Sequence, residues 1–173
     1  LRNKQQLRTS FQDDPNDPAS FTTITTNSGD SEAFGFEWEK NMTLNSWFIQ
    51  ASLGGLFSHF KEYRSPSGSL RGRQTPYAPL YSFRLLARYK ITYNMNIESL
   101  IYGKDSFYFS NSHNKKSAAY ELVDLSFNYS IGKLDLSLYA KNLLDRRYSQ
   151  RGFYFSNEPP EWETELYTQL EAP

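Results

Sequence analysis

The 173-residue chain has two histidines, His59 and His113, and no cysteine. Without thiolates, a metal site would need both imidazoles plus carboxylates at ligand spacing. The two histidines lie in different segments with no spacing motif, so each is read as a rim or loop residue. The run Asp13-Asp14-Pro15-Asn16-Asp17 has the oxygen atoms that calcium favours. It lacks EF-hand spacing and is built from turn-forming residues, so a solvated turn is expected. Lys61, Arg64, Arg71 and Arg73 crowd one stretch, where cations suit phosphate, an anionic chelate or plain solvation. Arg84, Arg88 and Lys90 stand at alternate positions, and the carboxylates Glu37, Glu39, Glu98 and Asp124 fall on comparable faces elsewhere. Facing carboxylates can hydrolyse glycosides. On an alternating wall such pairs arise by geometry, and ion pairing with the cations is the simpler expectation. Asn41-Met42-Thr43 and Asn128-Tyr129-Ser130 match a glycosylation sequon near strand ends, and the match is read as accidental. No Gly-rich phosphate loop, nucleophile elbow or HExxH occurs. No catalytic, cofactor-binding or metal-ligating residue is therefore assigned, no cofactor is expected, and no individual ligand contact is named.

The elements that would position these groups are strands. In Pro79–Tyr93 the odd positions hold Tyr81, Phe83, Leu85, Ala87, Tyr89, Ile91 and Tyr93. The even positions are polar except Leu86. A period of two separates the two sets onto opposite faces of a strand, whereas a helix would scatter Arg84, Arg88 and Lys90 around its circumference. The same alternation runs through Phe34–Glu39, Trp47–Phe57, Glu121–Ile131 and Lys133–Lys141, and less cleanly through Met95–Ile101. Arg2–Phe11 and Phe21–Thr26 are weaker strand candidates. Trp38, Trp47 and the Tyr and Phe residues keep to this period, which argues for lipid or core contact over base or sugar stacking.

The connections alternate in length. Lys40–Leu44, Tyr93–Asn96 and Ser130–Lys133 are predicted tight turns. Gln12–Ser20, Glu62–Tyr77, Asp105–Ala118 and Arg147–Thr164 are predicted long loops, a length usually associated with function. Short turns at one rim and long loops at the other are the signature of an outer-membrane barrel.

Composition agrees. Aromatics make up 17% of the chain, with 13 Phe and 13 Tyr, yet mean hydropathy is low. That combination fits strict alternation between lipid and water. Formal net charge is zero, so no global field attracts nucleic acid. No run of about 18 apolar residues occurs, which excludes a helical span. No apolar h-region follows Leu1-Arg2-Asn3-Lys4, as expected of a mature chain or a segment of one.

The segment Tyr139–Tyr148, YAKNLLDRRY, resembles the xNLxDxxY element near the C-terminus of TonB-dependent outer-membrane receptors. Gly35-Phe36-Glu37-Trp38-Glu39, after Asn27-Ser28-Gly29, resembles that family's GxExE strand. Pro76-Tyr77-Ala78-Pro79 looks like its xAPxxS element, and Tyr120–Leu125 like its YxxVDL strand. Arg151–Phe155 and Leu166–Leu170 look like its last outer loop and the start of its closing strand. In this resemblance Leu143 and Leu144 finish a rising strand, and Asp145-Arg146-Arg147 mark departure from hydrocarbon, where charge is costly. Tyr148, Phe153, Tyr154 and Phe155 suit the interface girdle.

The resemblance implies an all-β fold: an antiparallel transmembrane β-barrel segment, about seven to eight strands of a larger barrel in an up-and-down meander. Residues 1–173 would be its C-terminal portion, with the plug domain and the final closing strand outside them. It implies an outer-membrane receptor of a Gram-negative bacterium rather than an enzyme. Its role would be TonB-energised uptake of a scarce nutrient, a ferric siderophore or similar chelate. Outer-membrane lipid, lipopolysaccharide and the TonB complex, reached through the plug, would be partners, and nucleic acid would not. Ligand contacts would come from Tyr, Trp and Arg in Glu62–Tyr77, Asp105–Ala118 and Arg147–Thr164. Periodicity alone leaves open a soluble antiparallel barrel with the apolar face inward around a small apolar ligand. An enzyme would have to use His59 or His113 as its imidazole base.

Overall fold

The computed structural model describes residues 2–14, 17–65, 68–111, 113–156 and 164–171, with side chains over 29–63, 68–111 and 113–152. Ten strands and no helix occur among them: β1 (Arg2–Asp14), β2 (Asp17–Leu44), β3 (Trp47–Ser65), β4 (Gly68–Ser69), β5 (Tyr81–Thr92), β6 (Met95–Lys104), β7 (Tyr120–Ile131), β8 (Leu134–Ala140), β9 (Tyr148–Ser156) and β10 (Thr164–Glu171). All pairings are antiparallel. One sheet runs in the order β1-β2-β3-β5-β6-β7-β8, with β4 folded back on β3, and β9 and β10 form a separate hairpin. The meander expected from alternation is therefore the observed topology.

Register aligns the apolar residues across the whole sheet. Trp47, Tyr89, Ile97, Phe127 and Leu138 form one continuous cross-strand row. Ala51, Leu85, Ile101 and Val123 form another, which ends at Lys40 on β2. A slip of one residue would turn each strand's apolar set to the other face, so matched rows of this kind lock the register. This face is exposed: Phe34 is 66%, Leu85 38% and Leu138 71% accessible. A soluble barrel with a dry apolar interior would turn this face inward around its ligand. Where β3 carries Gly55 in this band, the Phe36 ring of the neighbouring strand lies across it and fills the space a side chain would take.

The burial that does exist lies at the loop-bearing end, in Phe60, Tyr63 and Leu70 and in Phe107, Phe109, Tyr120 and Leu122. Leu86, the exception on the polar face, is buried opposite Leu100.

Several predicted connections are corrected. Lys40–Leu44 belongs to β2, and the turn is Asn45-Ser46, with Asn45 at φ 52°. Gln12–Ser20 is mostly hairpin, with Asp13 opposite Phe21 and Asp14 opposite Asp17. β3 runs through Glu62 to Ser65. Most of Arg147–Ser156 is β9, and β10 pairs with it rather than with the main sheet. Among the described residues, Asp105–Ala118 is the predicted loop that contributes to no strand, with a single bridge between Tyr108 and Lys116. The cause is common to all these segments. Nineteen residues of β3, at about 3.3 Å each, reach about 60 Å, well beyond a hydrocarbon core about 30 Å thick even when tilted. Strand ends beyond such a core would face water on both sides and need no alternation.

Candidate functional site

The long connections gather at one rim, opposite the turns Asn45-Ser46, Tyr93-Asn94 and Gly132-Lys133. There the β3–β5 connection first lies along β3 like an added strand. Leu70 N donates to Tyr63 O at 2.9 Å, Gly72 N to Phe60 O at 2.8 Å, and Phe60 N to Arg73 O at 2.9 Å. This seats Leu70 on the tilted pair Phe60 and Tyr63, whose ring centroids are 4.5 Å apart. The same path delivers Arg73 to the β6–β7 loop. Its Nη1 donates to Asn114 Oδ1 at 2.8 Å, and its Nη2 donates to Ser110 O. Its guanidinium lies 4.0 Å from the centroid of the Tyr108 ring, a cation–π contact shared by Lys116 at 4.2 Å. Burial lowers the Arg73 pKa, while the Tyr108 and Tyr63 hydroxyls oppose that shift. A guanidinium stays charged through such a shift, so Arg73 ties two loops together with a fixed cation.

Further bonds bind the loops into one cap. Tyr77 N donates to Tyr108 O at 3.0 Å and Asn111 Nδ2 to the Tyr63 hydroxyl at 3.2 Å. Tyr77 adopts φ 55°, a region costly for a bulky side chain, and is held there by that backbone bond. Phe107 N donates to Ser117 Oγ at 3.1 Å and Ser117 N to Phe107 O at 2.9 Å, closing the β6–β7 loop on itself. The Phe109 ring lies against Gly152 of β9 so closely that a Cβ there would collide with it.

Below the cap, the polar face of the sheet carries charge. Arg88 lies opposite Glu98 and makes a forked contact, with Nη2 2.6 Å and Nε 2.8 Å from Oε2. Further down, Ser137 Oγ donates to Asn128 Oδ1 at 2.8 Å and Asn128 Nδ2 to Asn96 Oδ1 at 3.0 Å. Nearer the cap, a cavity of about 420 Å³ is lined by Arg84, Tyr102, Lys104, Tyr120 and Asp124 above Leu100. Asp124 is engaged: the Tyr102 hydroxyl donates to it, and Asn142 N donates to its Oδ1 at 2.8 Å.

Asn142 closes the head of the wall. It is buried at φ 49°, a left-handed backbone that Asn tolerates better than most residues. Its Nδ2 donates to Arg146 O at 3.0 Å, and its Oδ1 accepts from Arg146 N at 2.9 Å. Leu143 N still reaches Val123 O at 2.7 Å. β8 has ended at Ala140, however, and Leu143 and Leu144 are exposed turn residues, not the last rungs of a strand.

The β-barrel model described as "TonB dependent receptor-like, beta-barrel" matches residues 2–143. The chain belongs to the TonB-dependent receptor family. Solved structures agree on the fold. The ferric yersiniabactin uptake receptor FyuA from Yersinia pestis superposes with TM-score 0.69 at 21% identity, over 86% of this chain and 23% of its own. The copper transporter OprC gives TM-score 0.63 at 19% identity, over 86% and 22%. BauA, the ferric preacinetobactin receptor from Acinetobacter baumannii, gives 0.60 at 14% identity, over 96% and 24%. The chain therefore spans under a quarter of each. TonB-dependent receptors are outer-membrane proteins of Gram-negative bacteria, and the family offers no support for an enzyme.

In this receptor segment the residues singled out in the sequence are scattered. His59 lies 4.0 Å from Glu32 on β2, which also pairs with Lys61. His113 Nδ1 accepts from Lys115 N at 3.2 Å in the β6–β7 loop. No group of three or more His, Asp or Glu converges on a metal-sized point among the described residues. The side chains of Asp13, Asp14, Asp17 and Arg64, and those of Phe153, Tyr154 and Phe155, lie outside the described residues, as do Pro15 and Asn16. Arg71 is exposed beside Ser69. The expected pairing of wall charges is met by Arg88 and Glu98. The sequence reading missed Tyr108, Asn111, Asn114 and Lys104. The Phe107-Tyr108-Phe109 run in an otherwise polar loop was the available signal, because such a run buries only if a second loop covers it.

Proposed function

We propose that this chain is part of an outer-membrane receptor that takes up a scarce nutrient as a ferric siderophore or similar chelate. The TonB complex energises the uptake through a plug domain encoded outside residues 1–173. The reading rests above all on the two-faced sheet: a band of exposed apolar rows for lipid, with a charged opposite face beneath a cap of aromatic and cationic loops. Lipid and lipopolysaccharide meet the apolar band and its rim, and the chelate meets the loops Glu62–Tyr77 and Asp105–Ala118. Relatives named for ferric chelates and for copper support a metal-bearing cargo.

The test is uptake of radiolabelled iron chelates by an iron-starved strain carrying the intact gene, its deletion and a complemented deletion. Deletion is expected to abolish uptake of at least one chelate, and complementation to restore it. Unchanged uptake across hydroxamate, catecholate and carboxylate chelates, with the protein present in the outer membrane, would count against the reading.

A further inference from the structure

The cavity near the head of the wall holds two cations and one carboxylate that is already engaged. Lys104 closes β6 and lies opposite Ser82 and Tyr120, while Arg84 lies opposite Tyr102 on the same face. Diagonal neighbours on adjacent strands stand about 7–8 Å apart, so both side chains reach one ligand. Neither forms an ion pair among the described residues. Lys104 has only rings near its ammonium, Phe107 at 4.8 Å and Tyr120 at 5.4 Å. The one carboxylate in the lining, Asp124, is held by Tyr102 and Asn142. Arg88, four residues along the strand from Arg84 on the same face, shows the contrast: it faces Glu98 and is neutralised.

Two uncompensated cations beside partly covered rings favour an anion that brings its own oxygens. The guanidinium offers a planar fork matched to a carboxylate, and the ammonium a point charge. We infer that Arg84 and Lys104 form a charge-selecting basin, open toward the loops, for the carboxylate groups of an anionic chelate. This deepens the uptake reading and rests on it for the identity of the cargo. The volume of about 420 Å³ suits one arm of a chelate or a small polycarboxylate.

Citrate is the probe. The intact receptor in detergent is acylated with acetic anhydride, and modification of individual lysines is quantified by mass spectrometry with citrate, with sorbitol or with neither. Lys90, lower on the same face opposite Asn96, is the internal reference. Lys104 should be labelled without ligand and protected several-fold by citrate, with no protection by sorbitol and none at Lys90. Arg84→Gln should remove most of that protection. If this variant fails to fold, the Lys104-to-Lys90 contrast in the unmodified receptor still decides. Equal labelling with and without citrate would overturn the inference. So would a Lys104 already blocked before citrate is added, which would mean an internal acid fills the basin. Protection by citrate alongside unaltered iron uptake in the deletion strain would leave the basin standing and remove the uptake role.

Discussion

The wall and the cap of this segment are built on opposite plans. The wall is repetitive: from β2 to β8 residues pair with same-face partners one strand away, and any rung resembles the next. The cap is singular. Arg73, Tyr108, Asn111 and Asn114 each occur once and contact residues far away in sequence; Arg73 and Asn114 are separated by 41 positions. Repetition spreads stability over many equivalent cross-strand pairs. The cap concentrates it in a few partly buried polar groups, each tied to a specific partner in another loop. Loops built on the second plan can vary without disturbing the first.

The sharpest way to break this contrast is to place a charge on the apolar rows. Leu85→Arg puts a guanidinium in mid-strand on the exposed face, in the row with Ala51 and Ile101. Near the bilayer midplane this costs about 2–4 kcal/mol. Gln50→Arg, on the polar face opposite Leu86, should cost far less. Urea-dependent folding of the intact barrel into vesicles measures both. Equal losses at the two positions would show that the faces are not divided between lipid and water.

The second test cuts the cap. Arg73→Ala strands Asn114 Oδ1 and Ser110 O and uncovers Tyr108, a loss of about 1–3 kcal/mol confined to the loops. Arg73→Lys keeps the charge but loses the fork, and should fall between the two. Hydrogen exchange should rise together in residues 70–80 and 105–117 while β5 and β6 stay protected. Faster exchange in one loop alone would mean that Arg73 does not join them.

The same division decides what the sequence could disclose. Alternation marked Phe83, Leu85 and Tyr89 as one face because a two-faced strand imposes a rule on every second residue, and the strands it found are the observed ones. It failed from Gln12 to Ser20, where the sequence alternates weakly, so a hairpin read as a loop. It failed again at Leu143 and Leu144, apolar residues at the end of a strand-like run that the Asn142 side chain folds into a turn instead. Arg73 was visible as a cation, but its partner Asn114 was not. A contact made once, between loops, leaves no periodic trace. The forked pair of Arg88 and Glu98 was legible in kind, since opposed charges on facing strands are what an alternating wall produces.

The smallest expected effect is a pH response, and it belongs to the cap alone. Burial holds the His113 pKa below its ordinary value near 6.5, and the neighbouring Arg73 and Lys115 push it the same way. The folded loop therefore binds this proton less readily than the open one. Its stability is complete above the unfolded value, near 6.5, and declines as pH falls through that value toward the folded one. Protonation there would set a third cation beside Arg73 and Lys115. Hydrogen exchange in residues 105–117 should quicken between pH 7 and pH 5, and His113→Gln should flatten that response. Exchange in β5 and β6, corrected for the intrinsic pH dependence of amide chemistry, should not follow it. A wall that loosened in step with the loop would show that cap and wall share one cooperative unit, and the two plans would then be one.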